Sequence, residues 1–131
     1  MKIVYAYVCG DILHTGHLLQ LKNAKALGDK LIVGVLTDEA VMEKKKKPTI
    51  PFRERLRLVQ SIKYVDCVVA QDEYSPLKNV MGIKPDILVE SLDHKKQPAN
   101  KFVESYGGRV VALPYYPGVS SSDIKKEVRR S

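Results

Sequence analysis

"KIVYAYVCGDILHTGHLLQLKNAKALGDKLIVGVLT" (residues 2–37) is the stretch on which the fold turns. Its ends, KIVYAYV (2–8) and KLIVGVLT (30–37), are β-branched and aromatic runs without polar alternation, as strands buried on both faces require. Between them Leu18, Leu21, Ala24 and Gly28 fall three, three and four residues apart, which predicts one apolar stripe on a helix. Gly28 suits the left-handed position that ends such a helix. Strand, helix and strand in this order make a βαβ unit.

The pattern continues downstream. A polar, lysine-rich segment (38–50) leads into PFRERLRLVQSI (51–62), where Pro51 fits a first helical turn and Phe52, Leu56, Val59 and Ile62 share one face. VDCVVA (65–70), PDILVE (85–90) and RVVALP (109–114) read as the third, fourth and fifth strands. A short helical stretch near 76–82 and a helix near 97–106 separate them, and a last helix begins within GVSSSDIKKEVRR (118–130). The expected architecture is α/β: a doubly wound, five-stranded parallel sheet with helices on both faces and right-handed crossovers, in a single domain over 1–131. Such sheets bind ligands at the carboxyl ends of the strands, where the strand order reverses.

A chain of 131 residues suits one core, and its 44% apolar content is ordinary for a globular domain. No apolar run approaches the roughly 20 residues of a membrane span, and MKIVYAYVCGD does not read as a secretory signal, so a cytoplasmic location is expected. Cys9 and Cys67 lie in predicted strands and are expected to be small buried thiols; without a CxxC pair, neither a disulfide nor a structural zinc is expected. The net charge of +7 favours anionic partners, whether nucleotides, phosphorylated metabolites or nucleic acid.

Two of the three histidines, His14 and His17, stand where the first strand hands over to the helix. Taken singly, each reads as a turn cap or a half-buried helix residue. Together they bring imidazole donors to a helix N-terminus, whose unpaired N–H groups and dipole already favour an anion. Gly16 leaves room for a phosphate beside them. Positioning and neutralising phosphorus oxygens supplies most of the rate in nucleotidyl transfer, and paired histidines suit that task.

GDILHTGH (10–17) resembles the FDxxHxGH signature of the cytidylyltransferase family of nucleotidyltransferases, which shares its HxGH motif with class I aminoacyl-tRNA synthetases. AKALGDKLIVGVLTDE, PFRERLRLVQSIKYVD, IKPDILVES and PGVSSSDIKKEV follow in the family's order, so the resemblance covers nearly the whole chain and implies a Rossmann-like fold. Bacterial glycerol-3-phosphate cytidylyltransferases are nearest in length and layout. The adenylyltransferase domain of ADP-heptose synthesis and archaeal FAD synthetases are also similar.

The resemblance implies that His14 and His17 are catalytic, contacting the triphosphate and stabilising the five-coordinate α-phosphorus. It implies that Lys44 and Lys46, within the run Lys44–Lys47, close over the nucleotide; a solvated surface loop is the alternative. Cys9, Gly10, Asp11 and Gly16 would border the nucleotide, with Asp11 holding Mg2+ or the loop. Arg55 takes the place of the family's ExR arginine, against a plain surface charge. Gly118, Ser120, Ser121 and Ser122 match the RTxGISTT segment and would offer a second helix N-terminus to the β- and γ-phosphates. Ser120 and Asp123 also form a capping box whatever the function. Asp93 and His94 would help bind the acceptor.

Three departures stand out. Val8, Cys9 and Gly10 replace Gly-Thr-Phe before the signature aspartate. Tyr115 replaces the phosphate-binding arginine, removing a bidentate cation. VESLDHKK (89–96) replaces a glycine and two aspartates, keeping only Asp93, so glycerol 3-phosphate does not follow as the acceptor. The expected activity is transfer of a nucleoside monophosphate from a triphosphate, CTP by layout, to a small phosphorylated alcohol with release of pyrophosphate. The alternatives are an ATP-dependent enzyme acting on a sugar phosphate or FMN, or a non-catalytic nucleotide- or RNA-binding module. The chain has no aromatic stacking platform in an RNP-like arrangement, which argues against nucleic acid. Related enzymes are commonly homodimers, and the resemblance implies the same here.

Overall fold

The computed structural model describes residues 1–13, 15–91 and 98–113. Five strands, β1 (Ile3–Val8), β2 (Lys30–Leu36), β3 (Cys67–Gln71), β4 (Ile87–Ser91) and β5 (Arg109–Leu113), form one sheet in the order β3-β2-β1-β4-β5. All four pairings are parallel. The chain winds outward from β1 through β2 to β3, then returns to the other side of β1 for β4 and β5. The reversal therefore lies between β1 and β4, and β1 runs straight into the histidine motif.

The period of two along β1 divides the core. Val4, Ala6 and Val8 face a cluster with Leu21 and Ala24 of α1 (Thr15–Ala26) and Val59 of α3 (Phe52–Gln60). Tyr5 faces the opposite cluster, with Val80 of α4 (Leu77–Ile83) and Ala99 and Val103 of α5 (Pro98–Ser105). Helices thus cover both faces, as the doubly wound reading requires.

Several local expectations are corrected. Leu18 is exposed; Gly16, Leu21 and Ala24 are the buried residues of α1. Gly28 is not left-handed: among the described glycines only Gly10 and Gly107 have positive φ. Its requirement is close approach, since a Cβ there would lie 2.8 Å from both the Lys2 carbonyl oxygen and Val4 Cγ2. Pro51 occupies the N-cap position, one residue before α3. Cys67 is exposed and Cys9 only half-buried, because β3 is an edge strand and Cys9 lies just past the end of β1. A helix not expected from the sequence, α2 (Asp38–Met42), opens the lysine-rich segment, its N-terminus capped by Thr37 Oγ1, which accepts from Ala40 N at 3.2 Å.

The amino-terminal edge of the sheet is tied by aspartates that immediately precede strands. Asp29 accepts from Lys2 N at 2.7 Å, Asp66 from Leu31 N at 2.7 Å and Asp86 from Ile3 N at 2.7 Å. Lys25 Nζ adds bonds of 2.6 Å to the Asp29 carbonyl and to Asp66 Oδ2, and this ammonium holds the Asp66 carboxyl below the usual carboxylate range. These side chains explain why β3 and β4 start two residues later than the apolar runs suggest: each aspartate bonds to the neighbouring strand before its own ladder begins. The fastening lies at the edge opposite the histidine motif.

Candidate active site

β1 ends at Val8, and the chain turns at Gly10 with φ +76°. A side chain there would be strained, and its Cβ would lie 3.2 Å from Val59 Cγ2 on α3. The turn delivers Asp11, whose Oδ1 accepts from the Ile50 N–H at 2.8 Å. Asp11 thereby fastens the return of the lysine-rich segment to the β1–α1 turn. Gly16 is buried and His17 half-buried in the first turn of α1.

Arg55 is neither a surface charge nor an open cation. It is fully buried, and its guanidinium ties four segments together. Nε donates to the Ile50 carbonyl at 2.9 Å, Nη1 to the Cys9 and Leu36 carbonyls at 2.6 Å each, and Nη2 to Asp38 Oδ1 at 2.6 Å. The carbonyls of Cys9 and Leu36 belong to residues at or just past the carboxyl ends of β1 and β2. Arg55 therefore sets the relative height of the junctions that build the site's floor. Arg55, expected at the nucleotide, is in the structure a buried clasp between these junctions.

The lysine-rich segment is anchored at both ends. Ala40 and Val41 bury α2 against Leu36, and Glu43 Oε2 accepts from Tyr74 N at 2.9 Å. At the far end Pro48 is buried, and Ile50 is held by Asp11 and Arg55. Lys44, Lys45, Lys46 and Lys47 between them are all exposed. The loop thus presents its ammonium groups at the edge of the sheet that carries the histidine motif, with its return end bonded to the β1–α1 junction.

A polar seam that sequence reasoning missed crosses the α4–α5 face. Tyr5 Oη donates to Gln71 Oε1 at 2.5 Å and accepts from Asn79 Nδ2 at 3.1 Å. Gly34 leaves the space, since a Cβ there would collide with the Tyr5 hydroxyl. Closer to the carboxyl ends, Tyr7 Oη donates to Glu90 Oε2 at 2.6 Å. Burial pushes both phenols above the usual tyrosine range, in Tyr7 reinforced by the Glu90 charge. Burial also pushes the Glu90 carboxyl up to about 7, against the opposing effect of the Tyr7 hydrogen bond. The available signal was the acid ending PDILVE, an otherwise apolar strand.

A carboxyl raised on folding stabilises the native state fully below its unfolded value near 4.5, and that contribution is lost as pH rises through about 7. Glu90→Gln is therefore expected to gain stability relative to the parent between pH 5 and pH 8, on the order of 3 kcal/mol. Urea unfolding at both pH values checks it; a difference independent of pH would contradict the burial argument.

His14, Asp93, His94, Tyr115, Gly118, Ser120, Ser121 and Ser122, together with the last predicted helix, lie outside the described residues. Among the described residues, no group of three or more His, Cys, Asp or Glu side chains is placed to hold a metal ion, and no helix is long and apolar enough to cross a membrane.

A parallel sheet reversing beside β1, a glycine turn at the end of that strand and an anchored lysine loop at the same edge define a Rossmann-like domain of the nucleotidyltransferase fold. The chain belongs to the cytidylyltransferase-like family, whose sequence profile matches residues 9–127. It is 37% identical over 134 residues to the bifunctional protein HldE of Citrifermentans bemidjiense, an alignment covering 99% of this chain and 28% of that protein. With HldE of Actinobacillus succinogenes the identity is 39% over 132 residues, covering 98% of this chain and 28% of the relative. The chain thus spans little more than a quarter of the length of the curated relatives it matches. Among solved structures, the lipopolysaccharide core biosynthesis protein from Thermoplasma volcanium GSS1 is 33% identical with a TM-score of 0.75, over 88% of this chain and 97% of that one. Pantoate-beta-alanine ligase from Francisella tularensis shares the fold at a TM-score of 0.61 and 16% identity, over 98% of this chain and 69% of that one.

Proposed function

We propose that the domain transfers a nucleoside monophosphate from a nucleoside triphosphate to a sugar phosphate, with ATP as the donor. An oxygen of the acceptor's phosphate forms a bond to the α-phosphorus while the bond from that phosphorus to the bridging oxygen breaks, and pyrophosphate leaves with the electron pair. His14 and His17, the two histidines of the HxGH motif, donate to the oxygens that gain charge at the α-phosphorus. Lys44 and Lys46 neutralise the outer phosphates from the anchored loop. Ser121 and Ser122, beside Gly118 and Ser120, supply neutral donors to the β- and γ-phosphates.

Magnesium, when bound with the triphosphate, neutralises the phosphate oxygens and makes pyrophosphate a better leaving group. Asp11 is the carboxylate we assign to it. A single carboxylate suits an ion held chiefly by phosphates and water.

The observation that carries the reading is the junction itself: the β1–α1 turn, bonded through Asp11 to the return of the lysine loop and leading to Gly16 and His17 in the first turn of α1. The sugar-phosphate acceptor is supported by the 33% identity to a lipopolysaccharide core biosynthesis protein. The resemblance to the adenylyltransferase domain of ADP-heptose synthesis supports ATP. CTP with an alcohol phosphate is the second reading, favoured by the layout of the chain and by the match to the cytidylyltransferase-like family.

Pyrophosphate release, measured for each of the four common triphosphates against a panel of phosphorylated sugars and alcohols, tests both. Release confined to ATP with sugar phosphates is expected, and release with CTP and glycerol 3-phosphate would install the second reading. Binding of triphosphate without release for any pair would leave a nucleotide-binding module. Ser121→Ala is expected to weaken triphosphate binding by about 1 kcal/mol, the worth of one neutral hydrogen bond. Titration calorimetry with a non-hydrolysable triphosphate checks this, and an unchanged affinity would remove Ser121 from the site.

A further inference from the structure

Tyr7 and Glu90 are each the last residue but one of their strands, on β1 and β4, the two neighbours between which the strand order reverses. Glu90 is 1% exposed, whereas Tyr7 is half-buried, so the tyrosine is the more exposed member of the pair. A phenol has one proton to donate, and Tyr7 gives it to Glu90 Oε2 at 2.6 Å, a length typical of O–H···O⁻ bonds. Toward any ligand, the Tyr7 oxygen is then an acceptor backed by a carboxylate. Such a group attracts hydroxyl donors and repels phosphate oxygens, which only accept.

The mouth of the sheet thus has two chemistries. The α1 N-terminus and the lysine loop favour phosphate, while the Tyr7–Glu90 pair favours a neutral donor. Among the described residues, the other titratable groups facing Tyr7 are the phenols of Tyr5 on β1 and Tyr74 in the β3–α4 loop.

We propose that Tyr7 determines acceptor specificity, its oxygen accepting a hydrogen bond from a hydroxyl of the phosphorylated acceptor, and that Glu90 is the positioning residue that turns the Tyr7 proton inward. This rests on the transferase reading above. It separates the acceptor's phosphate, drawn to the histidine side, from its hydroxyls, read at the β1/β4 border.

The test measures kcat and KM for the parent, Tyr7→Phe and Glu90→Gln with glucose 1-phosphate, ribose 5-phosphate and methyl phosphate, which carries no hydroxyl. Tyr7→Phe is expected to raise the KM of the favoured sugar phosphate about tenfold, with methyl phosphate and the triphosphate within about twofold. Glu90→Gln retains an oxygen for the Tyr7 proton, so its KM rises only about threefold, but the inflection of the parent's acceptor kcat/KM near neutral pH disappears. A change in kcat alone, equal effects on methyl phosphate, or an unaltered pH profile in Glu90→Gln would overturn the proposal while leaving the transferase reading intact. If the parent turns over no pair in the wider panel of triphosphates with phosphorylated sugars and alcohols, the transferase reading falls and takes this assignment with it. Should Tyr7→Phe fail to fold, the pH profile of Glu90→Gln decides.

Discussion

Replacing His17 by alanine is expected to lower turnover by about 10²–10³-fold, the usual cost of removing one donor to an oxyanion in the transition state. The ring sits half-buried in the first turn of α1, whose attachment to the sheet depends on Leu21 and Ala24 further along. Loss of the imidazole therefore leaves the packing that holds the helix unchanged, and the melting temperature is expected to stay within a few degrees of the parent's. Single-turnover kinetics with saturating triphosphate, alongside a thermal melt, separate the two effects. A fall in activity matched by an equal fall in stability would show that His17 is a packing residue and would remove one of the proposed catalyst's two imidazole donors.

Arg55→Ala is expected to have the largest effect on stability of any single change to the described residues. Removing the guanidinium strands the carbonyls of Cys9, Leu36 and Ile50 and leaves the Asp38 carboxylate without its cation. Breaking a buried ion pair from one side costs about 3–5 kcal/mol. For a domain of this size that corresponds to a fall in Tm on the order of 10 °C. Arg55→Lys is expected to recover little, because an ammonium lacks the planar fork that reaches all four segments at once. Activity should fall in both variants through displacement of the junctions rather than loss of a phosphate contact. Triphosphate affinity, measured well below the melting range, is therefore expected to change less than stability does. A variant that keeps its Tm but loses triphosphate binding would restore Arg55 to the nucleotide site.

These expectations show how unevenly the sequence speaks. The strands were legible because burial on both faces demands uninterrupted apolar runs, and that demand is local. α1 and α3 were legible from their spacing for the same reason. α2 was not, because five residues with one threonine cap carry little periodic signal, and it is held by Leu36 and by the β3–α4 loop. For Gly28 the spacing along a helix suggests a terminus, whereas the constraint is close approach to Lys2 and to Val4 of β1. The HxGH spacing suggests an anion site, but the setting of Arg55 depends on three carbonyls and a carboxylate scattered between Cys9 and Ile50.

By itself, the sequence determined the class of fold, the order of its strands and the end of the sheet at which the HxGH motif stands, because apolar periodicity and a short motif are properties of neighbouring residues. Only the tertiary structure decided that Arg55 is a buried clasp, that Asp11 fastens the lysine loop and that Tyr7 and Glu90 meet at the β1/β4 border. Each of these depends on bringing together side chains tens of residues apart, and the exclusion of water there, which fixes their charge and bonding, is created by the packing of the folded chain.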